Sequence, residues 1–510
     1  MYEQGVYDLL MLARSLVNSL SIALRIPPEM LGIISSYLTE EDLFSASRAC
    51  RYWRSVLISS PSLWTRVSCR RVPQTITSLE RCGTLPIQLL LDPGFSDEAL
   101  DYLLLHENKI VSLTVNHECD EVPRARQLLM SCKPHLEQLH IYALKKWQWE
   151  TLGRAMDGVL QGLSSLRKLF ISRYPLLMDQ LAAPNLVHLA LERTSYRPSV
   201  TIILDMLRQC PLLETLFLLS YSSFSSGPAR SHSPVRLPHL RSIEVGVDEL
   251  RSGLITHLDF PKSTAAGFRN MYLAHVWGNI PPAIMAAIQH VLTNIDIYRI
   301  TLAIPPHTLG NLEALVRFEG SQGSLEMTID FIHPKNLSDL FGPQGVLFSH
   351  KPHIADVREL HIIDFSLIDR KYFRYFSRAM PNVVSISFFN CSELYISELL
   401  APSHPSSLPF PHLECVMVLG SESELEEVAW GMRDLGVRLK TLIIGRGPGC
   451  DEHDILEDYT ILEDLVDDLR IGYPAQTWRW AAGNEIASIW STVMEDPEQV
   501  SQKRNLVAHG

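Results

Sequence analysis

The chain has no uninterrupted run of 18 apolar residues, so no membrane-spanning helix is expected. It also has no two cysteines spaced as a CxxC pair. Its nine cysteines (Cys50, Cys69, Cys82, Cys119, Cys132, Cys210, Cys391, Cys415 and Cys450) are scattered and odd in number. That argues against a disulfide framework and for reduced thiols in the cytoplasm or nucleus. Positive charge is in deficit, with 45 Lys and Arg against 57 Asp and Glu and a net charge of −12. A general nucleic-acid or anionic-membrane binder needs the opposite balance, so neither partner is expected. The start lacks the basic stretch of a signal peptide. Its apolar segment is broken by Arg14 and Asn18, and Val6, Leu9, Ala13, Leu16, Leu20 and Leu24 fall at helical steps, which predicts an amphipathic helix over residues 1–24.

Catalytic signatures are missing as well. No nucleophile elbow, kinase set, HExxH or paired-carboxylate arrangement occurs in a usable context. Gly445-Arg446-Gly447-Pro448-Gly449 meets neither the dinucleotide nor the P-loop spacing, and the following Cys450-Asp451-Glu452 repels phosphate, so it reads as a plain turn. His117, Cys119, Cys132 and His135 lack zinc-finger spacing, and Cys450 with His453 supplies no better set. The expectation is a non-enzyme with no catalytic residue, no metal and no cofactor.

What is present is a globular composition. The 510 residues are 46% hydrophobic and 20% charged, enough for two to four domains or one extended repeat array. Near the start stands IPPEMLGIISSYLTEEDLFSASRACRYWRSVLISSPSLW, from Ile26 to Trp64. Pro28 suits a first helical turn, having no amide hydrogen to lose. Met30, Leu31, Ile33, Ile34, Tyr37 and Leu38 form a helical apolar face. Thr39, with Asp42 three residues on, resembles a shortened capping box that opens a second helix. Leu43, Phe44, Ala46, Ala49, Cys50, Trp53 and Val56 continue the apolar spacing, and Pro61 breaks the chain before Leu63 and Trp64. So small and apolar a unit cannot bury everything alone and calls for a partner surface.

The segment resembles an F-box. The pattern is carried by Ile26-Pro27-Pro28-Glu29, Tyr37-Leu38, Asp42-Leu43, Ala49-Cys50-Arg51-Tyr52-Trp53 and Leu63-Trp64. Ile26 stands where the family has leucine and Ala49 where it has valine, and both remain apolar. The resemblance implies an α-helical F-box over residues 25–70 that docks a Skp-type adaptor and, through it, a cullin–RING ligase. Carried over, it implies Ile26, Pro27, Leu31, Ile34, Leu38, Leu43 and Trp64 as adaptor-binding residues. Trp53 and Cys50 read instead as core.

From about Ile87 a phrase recurs: apolar, two variable, apolar, one variable, apolar. It stands at Ile110-Leu113-Val115, Leu136-Leu139-Ile141, Leu166-Leu169-Ile171, Leu186-Leu189-Leu191, Leu213-Leu216-Leu218 and Leu240-Ile243-Val245. It continues at Phe268-Met271-Leu273, Ile297-Ile300-Leu302, Val357-Leu360-Ile362, Val383-Ile386-Phe388, Leu413-Val416-Val418 and Leu439-Leu442-Ile444, with a weaker copy from Leu325 to Phe331. Most steps are 26 to 30 residues, the leucine-rich-repeat period. Proline stands two residues before the phrase at Pro134, Pro184, Pro211, Pro238, Pro381 and Pro411, marking the loop ahead of each strand. Cys132 and Cys210 precede two of these prolines and read as buried loop positions.

The fold class expected is therefore α/β: a small α-helical F-box, then a leucine-rich-repeat-like solenoid over residues 80–450 with parallel strands on the concave face and helices or loops on the convex face. Trp147 to Leu163 and Thr201 to Arg208 are predicted helices. Ser220 to Arg236, rich in Ser, Pro and Gly, is predicted to be an exposed loop. From Asp451 to Asp468 there are nine acidic residues and no Lys or Arg, and Ile455, Tyr459, Leu462, Val466 and Leu469 keep helical spacing. That predicts an acidic helical cap over 451–496, including a helix from Asn484 to Val493, followed by a disordered tail over 497–510.

Strand alternation points one column away from the core: His140, Phe170, Ala190, Phe217, Glu244, Tyr272, Thr301, His361, Ser387, Met417 and Ile443. His140, Phe170, Phe217, Tyr272, His361 and Met417 are the candidate substrate-binding residues, since large side chains dominate protein recognition. The whole chain resembles the F-box/leucine-rich-repeat proteins, particularly their divergent fungal group. That implies the substrate-recognition subunit of an SCF-type cullin–RING E3 ubiquitin ligase, holding an unidentified protein substrate for ubiquitination. The alternatives are a non-ligase interaction scaffold of the same architecture, an enzyme hidden in the repeats, and a paralogue without a substrate.

Overall fold

The structure is a computed structural model. It describes residue 11 and residues 25–117, 122–143, 158–172, 181–192, 199–219, 233–272, 282–303, 312–331, 354–363, 378–389, 410–420, 439–446 and 466–472. The chain divides into two compact parts, Met1–Ser225 and Ser226–Gly510. The expected N-terminal helix, the helix from Asn484 to Val493 and the tail lie outside the described residues, apart from Met11.

From residue 25 onward the described residues form α1 (Pro28–Ser36), α2 (Glu40–Ala49) and α3 (Arg51–Ile58), and a 3-10 turn at Pro61–Trp64. Pro28 occupies the first turn of α1. Thr39 Oγ1 accepts the Asp42 N–H at 3.2 Å and donates to Asp42 Oδ2 at 2.7 Å, which is the shortened capping box. Cys50 Sγ accepts the Trp53 N–H at 3.4 Å and so starts α3. Leu31, Leu43, Phe44, Leu57, Leu63 and Trp64 make the core between these helices.

A parallel sheet comes next. Its strands are β1 (Arg66–Ser68), β2 (Ile87–Leu91), β3 (Ile110–His117), β4 (Gln138–Ala143), β5 (Lys168–Ser172), β6 (His188–Glu192) and β7 (Thr215–Leu219), each paired with the next in chain order. Between them run α4 (Val72–Arg81), α5 (Asp97–Leu104), α6 (Val122–Cys132) and α7 (Val200–Arg208). Leu113, Leu139, Leu169, Leu189 and Leu216 lie in one register row, and each is buried. Such rows give up about 2 kcal/mol per leucine on leaving water, which holds the stack together.

The recurrent prolines have a sharper role than an open loop. The N–H of Leu136 bonds to Lys133 O, that of Leu186 to Ala183 O and that of Leu213 to Cys210 O. The same three-residue closure recurs at Leu240, Val383 and Leu413. Each proline is therefore the second residue of a tight turn, where its fixed φ fits and its missing N–H costs nothing. Cys132 and Cys210 are fully buried beside these turns. Residues 158–162, expected at the end of a helix, are turns with Gly158 and Gly162 at positive φ, and residues 144–157 lie outside the described residues.

The second part contains β8 (Val235–Arg236), β9 (Ser242–Gly246), α8 (Val247–Arg251), β10 (Leu258–Asp259), β11 (Ala265–Tyr272), α9 (Pro282–Leu292) and β12 (Ile297–Ala303). It continues with β13 (Leu312–Gly320), β14 (Ser324–Phe331), β15 (Glu359–Ile363), β16 (Ser385–Phe389), β17 (Cys415–Gly420), β18 (Leu439–Arg446) and β19 (Val466–Gly472). β8 and β10 form a small parallel pair, so the end of the predicted Ser220–Arg236 loop is a strand. In the main sheet β9 pairs β11, and β12 continues in parallel through β15, β16, β17, β18 and β19.

Three expectations are corrected here. The weaker copy at Leu325–Phe331 is no further rung in chain order. β13 and β14 form an antiparallel hairpin inserted between β11 and β12, with β14 parallel to β11 and β13 antiparallel to β12. Its turn needs glycine, because a Cβ on Gly323 would collide with the Lys262 carbonyl oxygen. The phrase Phe268-Met271-Leu273 is out of frame: Ile243 pairs with Ala266 and Val245 with Phe268, and both β11 partners are buried. Val466 and Leu469 sit on β19, where Leu469 pairs with Leu442, rather than on a capping helix. Val466, Leu469 and Ile471 pair with Leu439, Leu442 and Ile444, so the segment repeats the spacing of the β18 phrase and extends its ladder.

Candidate functional site

In the first part, the side of the sheet opposite the leucine rows carries three rows. The central row reads Leu90, Thr114, His140, Phe170, Ala190 and Phe217 in unbroken register. The N-terminal row includes Gln138, Lys168, His188 and Thr215, and the C-terminal row Tyr142, Ser172, Glu192 and Leu219. Phe170, Ala190 and Phe217 are half-buried, whereas His140 is only 4% exposed. The Phe170 ring lies 5.0 Å from Tyr142 and 6.0 Å from His140, centroid to centroid, so these three make an aromatic cluster over β4 and β5. Burial, with Glu192 adding to it, pushes the Tyr142 hydroxyl up to about 12. Burial, with Lys168 adding to it, lowers His188, whose Nδ1 is 2.8 Å from Thr215 Oγ1. The N-terminal rim at β5 and β6 is thus basic through Lys168, and the C-terminal rim acidic through Glu192.

In the second part the corresponding face differs. Thr301, His361, Ser387, Met417 and Ile443 align in register as the alternation predicts. Yet His361 and Met417 are each only 3% exposed, and Thr301, Ser387 and Ile443 are buried too. His361 and Met417 therefore present no accessible side chain. Burial, with Arg299 adding to it, pushes His361 down to about 3, so its ring is neutral. Toward β9 the same face carries an ion-pair ladder. Arg269 contacts Glu244 and Glu326, each at 2.7 Å. Arg317 contacts Glu326 at 2.5 Å and Glu319 at 3.6 Å. Arg299 contacts Glu319 at 3.1 Å and Glu359 at 2.7 Å. Burial alone would raise Glu326, but Arg269 and Arg317 outweigh it and hold its carboxyl below the usual range. The charges alternate across six strands and clamp the inserted hairpin on both sides. Tyr272 pairs with Asp330 beyond a bulge, away from the predicted column, and its side chain lies outside the described residues.

The three N-terminal helices split their apolar residues into two sets. Leu31, Leu43 and Trp64 are 0%, 5% and 1% exposed. They are core residues and offer no accessible side chain to a partner. On α1 and its C-terminal cap the solvent-facing set is Met30, Ile33, Ile34 and Tyr37, at 48%, 54%, 44% and 84% exposure. Their spacing of three, four and seven residues from Met30 places them on one face. Pro27 is exposed beside them, and Ile26 and Leu38 are half-buried. Ile33 and Leu38 also line a cleft of about 440 Å³ with Glu29, Glu40 and Arg66.

The sequence model of a family described as F-box-like matches residues 23–70. These residues form an F-box-like domain. Among curated proteins, none matches the chain by sequence. Among solved structures, one similar chain is from the "Crystal structure of Rad7 and Elc1 complex in yeast", with a TM-score of 0.31 and 11% identity over 82% of this chain and 98% of that chain. A likeness of that extent does not bear on function.

The F-box-like domain, which includes β1, is joined firmly to α4. Glu40 accepts the Ser68 N–H and the Ser78 hydroxyl, each at 2.8 Å, and its burial raises its carboxyl despite both bonds. Arg81 of α4 lies over Trp64. Sequence reasoning missed this junction, and it missed that Met30, Ile33 and Tyr37 are the outward half of the α1 face. It also missed the ladder, whose trace in the sequence is a set of Arg and Glu at strand positions flanked by apolar residues. Among the described residues no group of three or more His, Cys, Asp or Glu is placed to hold a metal, and no helix is long and apolar enough to cross a membrane.

Proposed function

We propose that this chain is the substrate-recognition subunit of an SCF-type cullin–RING E3 ubiquitin ligase. The F-box-like domain docks a Skp-type adaptor, the adaptor bridges to the cullin, and the strand face of the first part holds a protein substrate. The chain itself performs no chemical step. It contributes proximity, holding a substrate lysine near a charged carrier supplied by other subunits.

The observation that carries this reading is the solvent-facing row Met30, Ile33, Ile34 and Tyr37 on the first helix of the F-box-like domain. Four large apolar side chains on one short helix face are costly to leave in water, and F-box domains typically meet a Skp-type adaptor. The repeat phrase and its register support a leucine-rich-repeat-like architecture behind it. The test is purification of the tagged full chain from cells. Recovery of a Skp-type adaptor together with a cullin supports the ligase reading, and adaptor without cullin supports a non-ligase scaffold.

A further inference from the structure

Ala190 is the small residue of the central row. Phe170 pairs with it from one side and Phe217 from the other. In a parallel sheet the two phenylalanines stand two strands apart, about 9–10 Å between backbones. The Phe170 ring leans the other way, against Tyr142 and His140 on β4. Ala190 nevertheless remains partly exposed between two large neighbours, so neither ring closes over it. Two ring walls at that separation leave room for one further ring, stacked or edge-on to each at the usual 4.5–7 Å between centroids.

The charges around this gap are of opposite sign. Glu192 is two residues beyond Ala190 on the same strand and the same face, about 7 Å away along β6. Two residues before Ala190 stands His188, whose burial disfavours the charged ring, with Lys168 paired beside it from β5. An extended chain lying along β6 with one residue over Ala190 places its residues two positions on either side over Glu192 and over His188, where Lys168 stands alongside on β5.

We propose that Ala190 is the floor of a slot, walled by Phe170 and Phe217, that takes one aromatic side chain from an extended segment of a partner protein, with a basic residue two positions to one side and an acidic residue two positions to the other. This rests on the reading of the first strand face as the substrate surface, and it names the chemistry of the segment bound there.

The test uses the full chain and fluorescent synthetic peptides Asp-Gly-Trp-Gly-Lys and Lys-Gly-Trp-Gly-Asp, read by fluorescence anisotropy. One of the two orders is expected to bind. Replacing its tryptophan by alanine, or filling the slot with Ala190→Leu, is expected to weaken binding at least tenfold. Peptides with both ends acidic or both basic are expected to bind several-fold more weakly. Circular dichroism of Ala190→Leu should match the parent. If it does not, Phe217→Ala, which removes a wall, is the second variant and should also weaken binding. The proposal is overturned if neither order binds, if the alanine peptide binds equally well, or if a folded slot variant binds like the parent. Adaptor recovery without peptide binding rejects the slot alone, and peptide binding without adaptor recovery rejects the ligase reading alone.

Discussion

The guanidinium of Arg81 lies 4.2 Å from the ring centroid of Trp64, and 5.6 Å from that of Phe44. Phe44 and Trp64 meet edge-on at 5.1 Å, and Trp64 Nε1 donates to Leu57 O at 2.8 Å. A helix outside the F-box-like domain thus closes the aromatic core of that domain. Arg81→Ala is expected to remove about 0.5–1 kcal/mol of cation–π attraction. That would appear as a fall of a few degrees in thermal midpoint. An unchanged midpoint would show that the contact contributes nothing.

Core and surface on α1 separate by substitution. Met30→Asp with Ile34→Asp is expected to lower adaptor recovery at least tenfold while the thermal midpoint stays within a few degrees, because both side chains already face water. Leu31→Asp, at a fully buried position, is expected to unfold the domain, since an unpaired buried charge costs several kcal/mol. Pull-down and circular dichroism on the same samples distinguish the two. Equal adaptor recovery from the double variant and the parent would move the docking surface off this face.

The ladder around the β13–β14 hairpin makes a coupled prediction. Arg317→Met leaves Glu326 and Glu319 each with one partner fewer, at an expected cost of about 2 kcal/mol. Glu326→Met is expected to cost a similar amount. The double variant should cost less than the sum, because no half-buried charge of that pair is left behind. Urea unfolding of the four proteins measures the coupling, and strict additivity would show that the pair does not interact energetically.

His361 gives the chain an acid sensitivity of definite sign. Its ordinary value of 6.5 falls to about 3 in the fold, so the folded state disfavours the protonated ring. The stabilisation is complete above about pH 6.5 and is lost as pH falls from there toward 3. At pH 5 the loss is about 2 kcal/mol. His361→Leu is expected to flatten the fall in thermal midpoint between pH 6.5 and pH 5 relative to the parent, and an identical slope in both proteins would contradict this. Glu326, held low by two arginines, acts in the same direction, its stabilisation being present above its ordinary value of 4.5 and lost as pH falls below it.

Much of the fold is legible in the phrase itself. Leu139-Ile141, Leu169-Ile171 and Leu216-Leu218 sit in one register because each copy repeats the same buried pair at the same distance from the same tight turn. The hairpin is not legible, because β13 and β14 alternate apolar and polar residues as a parallel rung does, and period says nothing about strand direction. The α1 face is half legible. Helical spacing shows Leu31 and Ile34 as neighbours, and only packing against α3 decides that Leu31 turns inward.

By itself the sequence determined the F-box-like segment, the turns at Pro134, Pro184 and Pro211, and which residues of β3 to β7 share a face. These depend on local chemistry: caps, ring-fixed φ and alternation. Tertiary structure decided which of those faces meets water. Phe170, Ala190 and Phe217 remain accessible, while His361 and Met417, at equivalent register positions, are buried. Exposure is set by what packs above a strand, and that comes from parts of the chain distant in sequence.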